Sequence, residues 1–471
     1  MRVRVSTGII IAFATGQLAH HSYIPMSAPE FSYSQDKLRQ LAADVLRHAR
    51  ELGASACETD VSEAFGQSVT VRKNEVETIE YNRDKGIGVT VYLGQQRGHA
   101  STSDFSSAAL RATVAAALSI ARFTAPDPCA GLPDEKLLAN QPMDLDLYHP
   151  WQVSVEDAID IARRCEQAAF DVSPLVRNSE GASVSVQQSN FVSANSLGFM
   201  GGFPTSRHYI SCAVIAGEGD NMQRDDWYSS SRDPRKLAAP REICDYAARR
   251  ALSRLGARRL KTRSVPVLFE APLASGLIGS FVHAVSGGAL YRKSSFLLDS
   301  LGQQIFPRHV QISERPHLKG AQASSPFDDD GVATHDREVI TDGVLQGYFL
   351  STYSARKLGM QTTGNAGGSH NLIVQPGQLD FEGLLREMDT GLLVTELLGQ
   401  GVNYITGDYS RGAAGYWVEK GRIAYPVQEI TIAGNLRDIY KGIVAIGNDV
   451  LVRGSRQVGS ILVDRMTVAG S

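Results

Sequence analysis

The order of elements written into this sequence predicts an α+β protein, with two N-terminal helix–antiparallel sheet–helix units followed by a largely antiparallel β domain. Three observations carry that expectation. Apolar spacing switches from helical to alternating and back to helical between residues 34 and 123. The same order recurs between 153 and 255. From Val265 onward, short β-rich runs and glycine turns take over.

Leu38, Leu41, Val45, Ala49 and Leu52 fall at helical spacing in SQDKLRQLAADVLRHAREL, and Gly53 stops that helix. Val69 and Val71, less perfectly Val76 and Ile79, then Ile87, Val89 and Val91 alternate with polar neighbours as strands do. The runs Asn82-Arg83-Asp84-Lys85-Gly86 and Gly94-Gln95-Gln96 are expected to turn between them. Ser103-Asp104 is expected to cap a helix reaching about Phe123. Pro126, Pro128, Pro133, Pro142 and Pro150 mark residues 124–150 as a linker. Helices over 153–170 and 238–255 then bracket strand-like runs at Ala182–Gln188 and Tyr209–Ala216. In the third part VPVLFE reads as a buried strand, followed by the apolar helix PLASGLIGSFVHAVSGGALYRK. Asp342-Gly343 and Lys420-Gly421 read as two-residue hairpin turns, and a helix is expected at about Phe381–Met388. The expected division is 31–145 for the first α+β domain, 146–260 for a central α+β domain and 261–471 for the C-terminal β-rich domain. Residues 1–30 read as a disordered tail or a mis-called start. Arg2, Arg4 and the run Gly8–Ala14 weakly imitate a secretory signal, and Met26 offers a better start.

A net charge of -3 gives no field that favours nucleic acid or an anionic membrane. No apolar run approaches the ~20 residues that span a bilayer. The five cysteines are scattered without a CxxC pair, which reads as reduced, buried thiols in a cytoplasmic protein.

None of the 11 histidines is followed by Glu, and no two lie four or five apart, so the helical zinc-hydrolase pattern is absent. His283 alone on its apolar helix reads as a satisfied, partly buried histidine, because zinc needs three or more protein ligands. His370 follows a glycine-rich stretch and reads as part of a flexible loop. Asp328-Asp329-Asp330-Gly331 lacks EF-hand spacing and reads as an exposed acidic turn. No G-x-S-x-G elbow appears. GDYSRGAAGYWVE offers Asp408, Tyr409, Arg411 and Trp417 either as interface anchors or as core aromatics.

Four long runs carry a resemblance: GGALYRKSSFLLDSLGQQI, STYSARKLGMQTTGNAGGSHN, TELLGQGVNYITGDYSRGAAGYWVE and EITIAGNLRDIY. They resemble the TldD/PmbA family of bacterial metalloproteases, in its PmbA (TldE) branch, over about residues 31–471. The resemblance implies a cytoplasmic heterodimer of this chain with a TldD-like, metal-bearing subunit. That complex would degrade unfolded or flexible peptides and process peptide precursors. An older family name, a modulator of DNA gyrase, does not imply DNA binding. The metal-bearing kind carries H-E-x-x-x-H on a helix and a cysteine near its C-terminus. Against that pattern Ser280, Phe281 and Val285 stand in place of His, Glu and His, and RGSRQVGS at 453–460 holds no cysteine. Positions five apart on a regular helix differ by about 140°, so such a pair shares a metal only where the helix widens or breaks. The resemblance therefore implies no cofactor bound by this chain and a zinc-type metal in its partner. Candidates for the peptide chamber or partner interface are Tyr291, Arg292, Lys293, His370, Asp408, Tyr409 and Arg411. Two rival readings are a metallopeptidase active alone through His283, His335 or His370, and a stand-alone peptide-binding protein.

Overall fold

The computed structural model describes residues 31–470 and divides them into two units, 31–125 with 146–252, and 126–145 with 253–470. The expected N-terminal tail, with His20 and His21, lies outside the described residues.

In the first unit the elements are α1 (Gln35–Glu51), β1 (Ala56–Arg72), β2 (Glu75–Leu93), β3 (Gln96–Thr102), α2 (Ser107–Phe123), α3 (Val155–Phe170), β4 (Val176–Asn195), β5 (Met200–Gly201), β6 (Pro204–Ala216), β7 (Gln223–Ser231) and α4 (Pro240–Ser253). Ser34 opens α1 by accepting the Lys37 N–H, and the buried stripe Leu38, Leu41, Val45, Ala49 matches the helical spacing of the sequence. The cap of α2 is Ser106 rather than Ser103-Asp104, and Asp104 accepts the Ser106 N–H one step outside it. The strands of the two expected N-terminal units form one antiparallel sheet in the order β3-β2-β1-β4-β6-β7, with β5 beside β4. The seam is β1 against β4, where Val61 pairs with Val192 and Val69 with Val184.

Two further expectations about this unit are corrected. Residues 82–86 do not turn. They lie inside β2, with Asn82 opposite Gly66 and Lys85 opposite Glu63, and Arg83 pairs with the buried Glu63 carboxylate. A side chain at Gly66 would meet the Asn82 amide oxygen at 2.5 Å, so the glycine makes room for this register. The hairpin turns instead at Lys73-Asn74, both at positive φ. The buried Glu166 carboxylate of α3 receives both of their N–H groups, at 2.8 and 2.9 Å, which offsets the cost of left-handed backbone at two non-glycine residues. From Glu75 to Gly86, β2 pairs with β1 on one side, and among the described residues no strand pairs with its other side. Second, the cysteines are not all reduced thiols: Cys165 of α3 and Cys244 of α4 form a disulfide. Their separation of 79 residues gave no sequence signal; the helices bring them together.

The second unit contains β8 (Arg263–Phe269), α5 (Ala271–Ala284), α6 (Gly287–Tyr291), β9 (Ile312–Glu314), β10 (Arg337–Thr341), β11 (Val344–Leu345), α7 (Thr352–Lys357), β12 (Leu372–Val374), α8 (Phe381–Met388), β13 (Gly391–Leu398), β14 (Asp408–Glu419), β15 (Arg422–Asn435), α9 (Leu436–Lys441), β16 (Ile443–Ile446), β17 (Arg456–Gln457) and β18 (Ile461–Ala469). One sheet runs β15-β14-β13-β8-β18-β16, and β15 also pairs with β18, so five strands close on themselves. A second sheet runs β11-β10-β9-β12-β17. Pairing is antiparallel except for β8–β13 and β12–β17. Asp342-Gly343 and Lys420-Gly421 form the two expected hairpin turns, all four residues at positive φ.

Residues 126–145, expected to be linker, are seated in this unit. Leu132, Leu138 and Leu145 are buried, and Leu138 bridges to Val332. Arg356 of α7 donates to the Gly131 and Leu132 carbonyls at 3.0 and 2.6 Å, and Asp127 accepts from Tyr353 and Lys357 at 2.7 and 3.0 Å. Proline content marked the absence of regular structure here, and the three leucines decide that the segment packs.

Replacement of Cys244 by Ser removes a cross-link between α3 and α4. It is expected to lower the unfolding free energy of the non-reduced chain by about 2–4 kcal/mol, measured by urea denaturation, and reducing agent should remove the difference.

Candidate functional site

The helix that drew attention in the sequence is two helices. Pro272 sits in the first turn of α5, where a missing N–H costs nothing. The helix ends at Ala284 with Val285 as its cap, and Ser286 starts α6 by accepting the Ala289 N–H. Gly287 is required at the break. Its N–H donates to the Phe349 carbonyl at 2.8 Å, and a side chain would lie 2.2 Å from the Ser354 hydroxyl.

One face of α5 is fully committed to the core. Phe281 meets Phe306 edge-to-face at 5.1 Å and Tyr440 at 6.2 Å. Phe281 and Val285 are both 0% exposed. Ser280 is 7% exposed and donates to the Gly276 carbonyl one turn back. The opposite side carries Gly276 and His283 at the surface, so His283 is exposed and not partly buried as expected. The His283 ring lies 4.0 Å from that of Tyr404.

The distant stretch RGSRQVGS arrives beside this helix. Its Arg456 lies over Gly279, where an added Cβ would sit 3.0 Å from Nη1. The helix positions that the resemblance singled out and the C-terminal stretch are therefore brought together, as a catalytic constellation would require. Their chemistry does not fit a metal. The only donor among the three helix residues is a serine hydroxyl bonded within its own helix, two of the positions hold buried hydrocarbon, and the nearby side chain is a cation.

The other candidates fall in three places in the same unit. Tyr291, Arg292 and Lys293 sit at the end of α6. Arg292 covers the Tyr291 ring at 5.1 Å, and Tyr291 meets Tyr353 edge-to-face at 5.8 Å. Asp408, Tyr409 and Arg411 begin β14. Asp408 is exposed and held by Thr406 and Asn435, whose hydrogen bonds keep its carboxyl below the usual range. Tyr409 is buried, which pushes its phenol up to about 12, and it bonds to Arg411. Trp417 is 4% exposed, so of the two roles open to these aromatics, Tyr409 and Trp417 take the core one. His370 is not in a free loop. Its N–H donates to the buried Glu314 at 2.7 Å, and its ring nitrogens face the Ala323 and Gly364 carbonyls at 3.3 and 2.9 Å. His335 is exposed.

Glu314 was invisible in the sequence, one acid in a short strand. At 1% exposure it accepts from Arg337, Asn365 and the His370 backbone, so the glycine-rich loop is fixed from within. The acidic turn is likewise not exposed as a whole. Asp328 is 3% exposed and accepts the N–H groups of Ala366, Val332 and Asp330. Burial, with Asp330 nearby, pushes its carboxyl up to about 7. Among the described residues, three potential metal donors converge at Cys165, Cys212 and Cys244, two of which are already bonded to each other.

Family models match nearly the whole described chain: PmbA/TldA metallopeptidase domain 1 over 57–121, the central domain over 148–255 and the C-terminal domain over 262–470. Metalloprotease PmbA of Escherichia coli O157:H7 is 48% identical over 92% of this chain and 97% of its own length. The chain belongs to the PmbA/TldD metallopeptidase family. The metalloprotease TldD homologue of Haemophilus influenzae is 25% identical over 75% of the chain and 77% of its own length, so the PmbA likeness is the greater. A Bacteroides thetaiotaomicron crystal structure, described as a modulator of DNA gyrase, superimposes with a TM-score of 0.87 at 26% identity, covering 92% of this chain and 99% of that one. In this family member, then, the fold of a metallopeptidase surrounds a helix whose residues do not suit a metal.

Two outcomes are expected. Phe281→Ala should lower stability by about 3–5 kcal/mol in denaturant titration, because that position serves packing. Asp328 has a raised folded pKa, so its contribution is full below its unfolded value near 3.8 and is lost as pH rises through about 7. Asp328→Asn should therefore flatten the decline in melting temperature between pH 4 and 7.

Proposed function

We propose that this chain is the metal-free subunit of a two-subunit, cytoplasmic metalloprotease. It binds no metal itself and supports a TldD-like partner that carries a zinc-type ion. The observation behind this reading is the α5 site: the positions expected to hold a metal and its base come together, but as a bonded hydroxyl, buried hydrocarbon and a neighbouring cation. A metal-bound water needs ligands and a nearby base to become a nucleophile. Neither is supplied by Ser280, Phe281 and Val285.

The chain's part in the reaction is to hold the peptide and complete the walls around it. Unfolded or flexible peptides share few side-chain features, so they are best taken by backbone and terminus contacts that tolerate varied sequence. The PmbA-type fold, with its closed strand ring and rigid α5, supplies a fixed wall for that purpose. Tyr291 and Arg292 on α6, and Asp408 and Arg411 on β14, are the polar side chains assigned to the chamber or the partner contact. Lys293 belongs with them, and Tyr409 and His370 fix their surroundings from within.

Co-expression with a metal-bearing paralogue tests the reading. The purified single chain should show no peptide hydrolysis and no stoichiometric zinc, the pair should co-purify, and hydrolysis should appear only with both. Zinc-dependent hydrolysis by the single chain would overturn it.

A further inference from the structure

Arg456 is a cation without an anion. The residue is half-buried, its Nε is shielded from water with no hydrogen-bond partner, and among the described residues its side chain makes no hydrogen bond or ion pair. Burial lowers its pKa, and the ionisable group acting on it is Tyr404, a phenol. Buried charges in folded proteins are paired, because removing an ion from water costs several kcal/mol unless a partner compensates it. Here Gly279 makes room for the guanidinium, so the fold places it deliberately against α5.

Arg411 reaches the same group of tyrosines. Its Nε is also buried and unpartnered, and it bonds to Tyr409, which in turn interacts with Tyr404. Tyr404 packs against the exposed His283. Tyr440 beneath them is acted on by Tyr404 and Tyr409. None of the groups acting on Tyr409, Tyr440 or Arg456 is a carboxylate. The neighbouring Asp408 is engaged by Thr406 and Asn435. Arg411, Arg456 and His283 thus each meet one of these tyrosines, and His283 is exposed.

We propose that Arg456, assisted by the Tyr409-bonded Arg411, binds the carboxylate of a peptide. Guanidinium groups match carboxylates in shape and form strong paired hydrogen bonds with them. The C-terminal carboxylate is the occupant this site favours, since it is the one negative group shared by peptides of any sequence. The inference rests on the peptide-holding role proposed above and gives that role a chemical anchor.

The test uses the full chain without a partner and fluorescence anisotropy with labelled extended peptides lacking acidic side chains. Three probes are compared: free C-terminus, amidated C-terminus, and amidated with one internal Asp. The free-carboxylate peptide should bind about tenfold more tightly than the amidated one. In Arg456→Leu that difference should vanish, while Arg456→Lys should restore part of it. Recovery of tight binding by the internal Asp identifies a side-chain carboxylate as an equal source. Equal affinity of the unaltered chain for all three probes, or no binding of any, overturns the proposal without requiring any variant to fold. Hydrolysis on co-expression is read separately, so the two-subunit reading can stand while this one falls. If Arg456→Leu weakens association with the metal-bearing paralogue but leaves the amidation difference intact, the anion belongs to the partner, and the peptide assignment is wrong.

Discussion

The second unit depends on how Tyr440 is buried. Its ring packs with Phe281, Phe296 and Phe306, and its hydroxyl, with no water to turn to, donates to the Leu277 carbonyl of α5 at 3.2 Å. A buried phenol left without an acceptor would cost about 1–3 kcal/mol. The hydroxyl therefore fixes the height of α5 along its axis, while the rings fix its rotation. α9, which carries Tyr440, directly follows β15, a member of the closed strand ring, so the ring, the helix and the site share one frame.

That frame explains why α5 does not suit a metal. A helix turned to bury Phe281 and Val285 completely has given those positions to the core, and any polar group placed there would be stranded from water. What remains exposed on the helix is Gly276 and His283, with Pro272, Leu273, Ser275 and Gly279 half-buried. The chemistry of this region has consequently moved to side chains arriving from elsewhere, Arg456 from β17, Arg411 from β14 and Tyr404 from the loop before it. A site built by convergence from three distant segments can change its charge without disturbing the helix that supports it.

Much of the architecture was legible because it is written locally. The apolar stripe of α1, Asp342-Gly343 and Lys420-Gly421 between strands, and the helix at Phe381–Met388 all follow from residues within a few positions of one another. Apart from the α2 cap, found at Ser106, the failures share the opposite property. Asn82–Gly86 looks like a turn until Glu63 and Gly66 on the neighbouring strand are known. Lys73-Asn74 looks unremarkable without the carboxylate of Glu166, 93 and 92 positions away. The prolines of 126–145 announce irregular backbone and say nothing of Arg356, which holds it. At the site, Ser280, Phe281 and Val285 were singled out by resemblance, whereas Arg456 gave no signal, since its meaning lies in the absence of an acid around it. Loneliness of a charge is a property of three-dimensional neighbours.

The unpaired stretch of β2 carries one further consequence. A free strand edge invites another chain to hydrogen-bond to it, and Val76, Ile79 and Tyr81 there are all substantially exposed. The same stretch holds Glu75, Glu77, Glu80, Arg83, Asp84 and Lys85, so the apolar residues never run together. Three glutamates within six residues make two copies of this edge repel one another on approach. Because β1 stays paired with β4 from Glu58 to Val71, this edge is held in the sheet, and its acidity opposes strand pairing with a second copy.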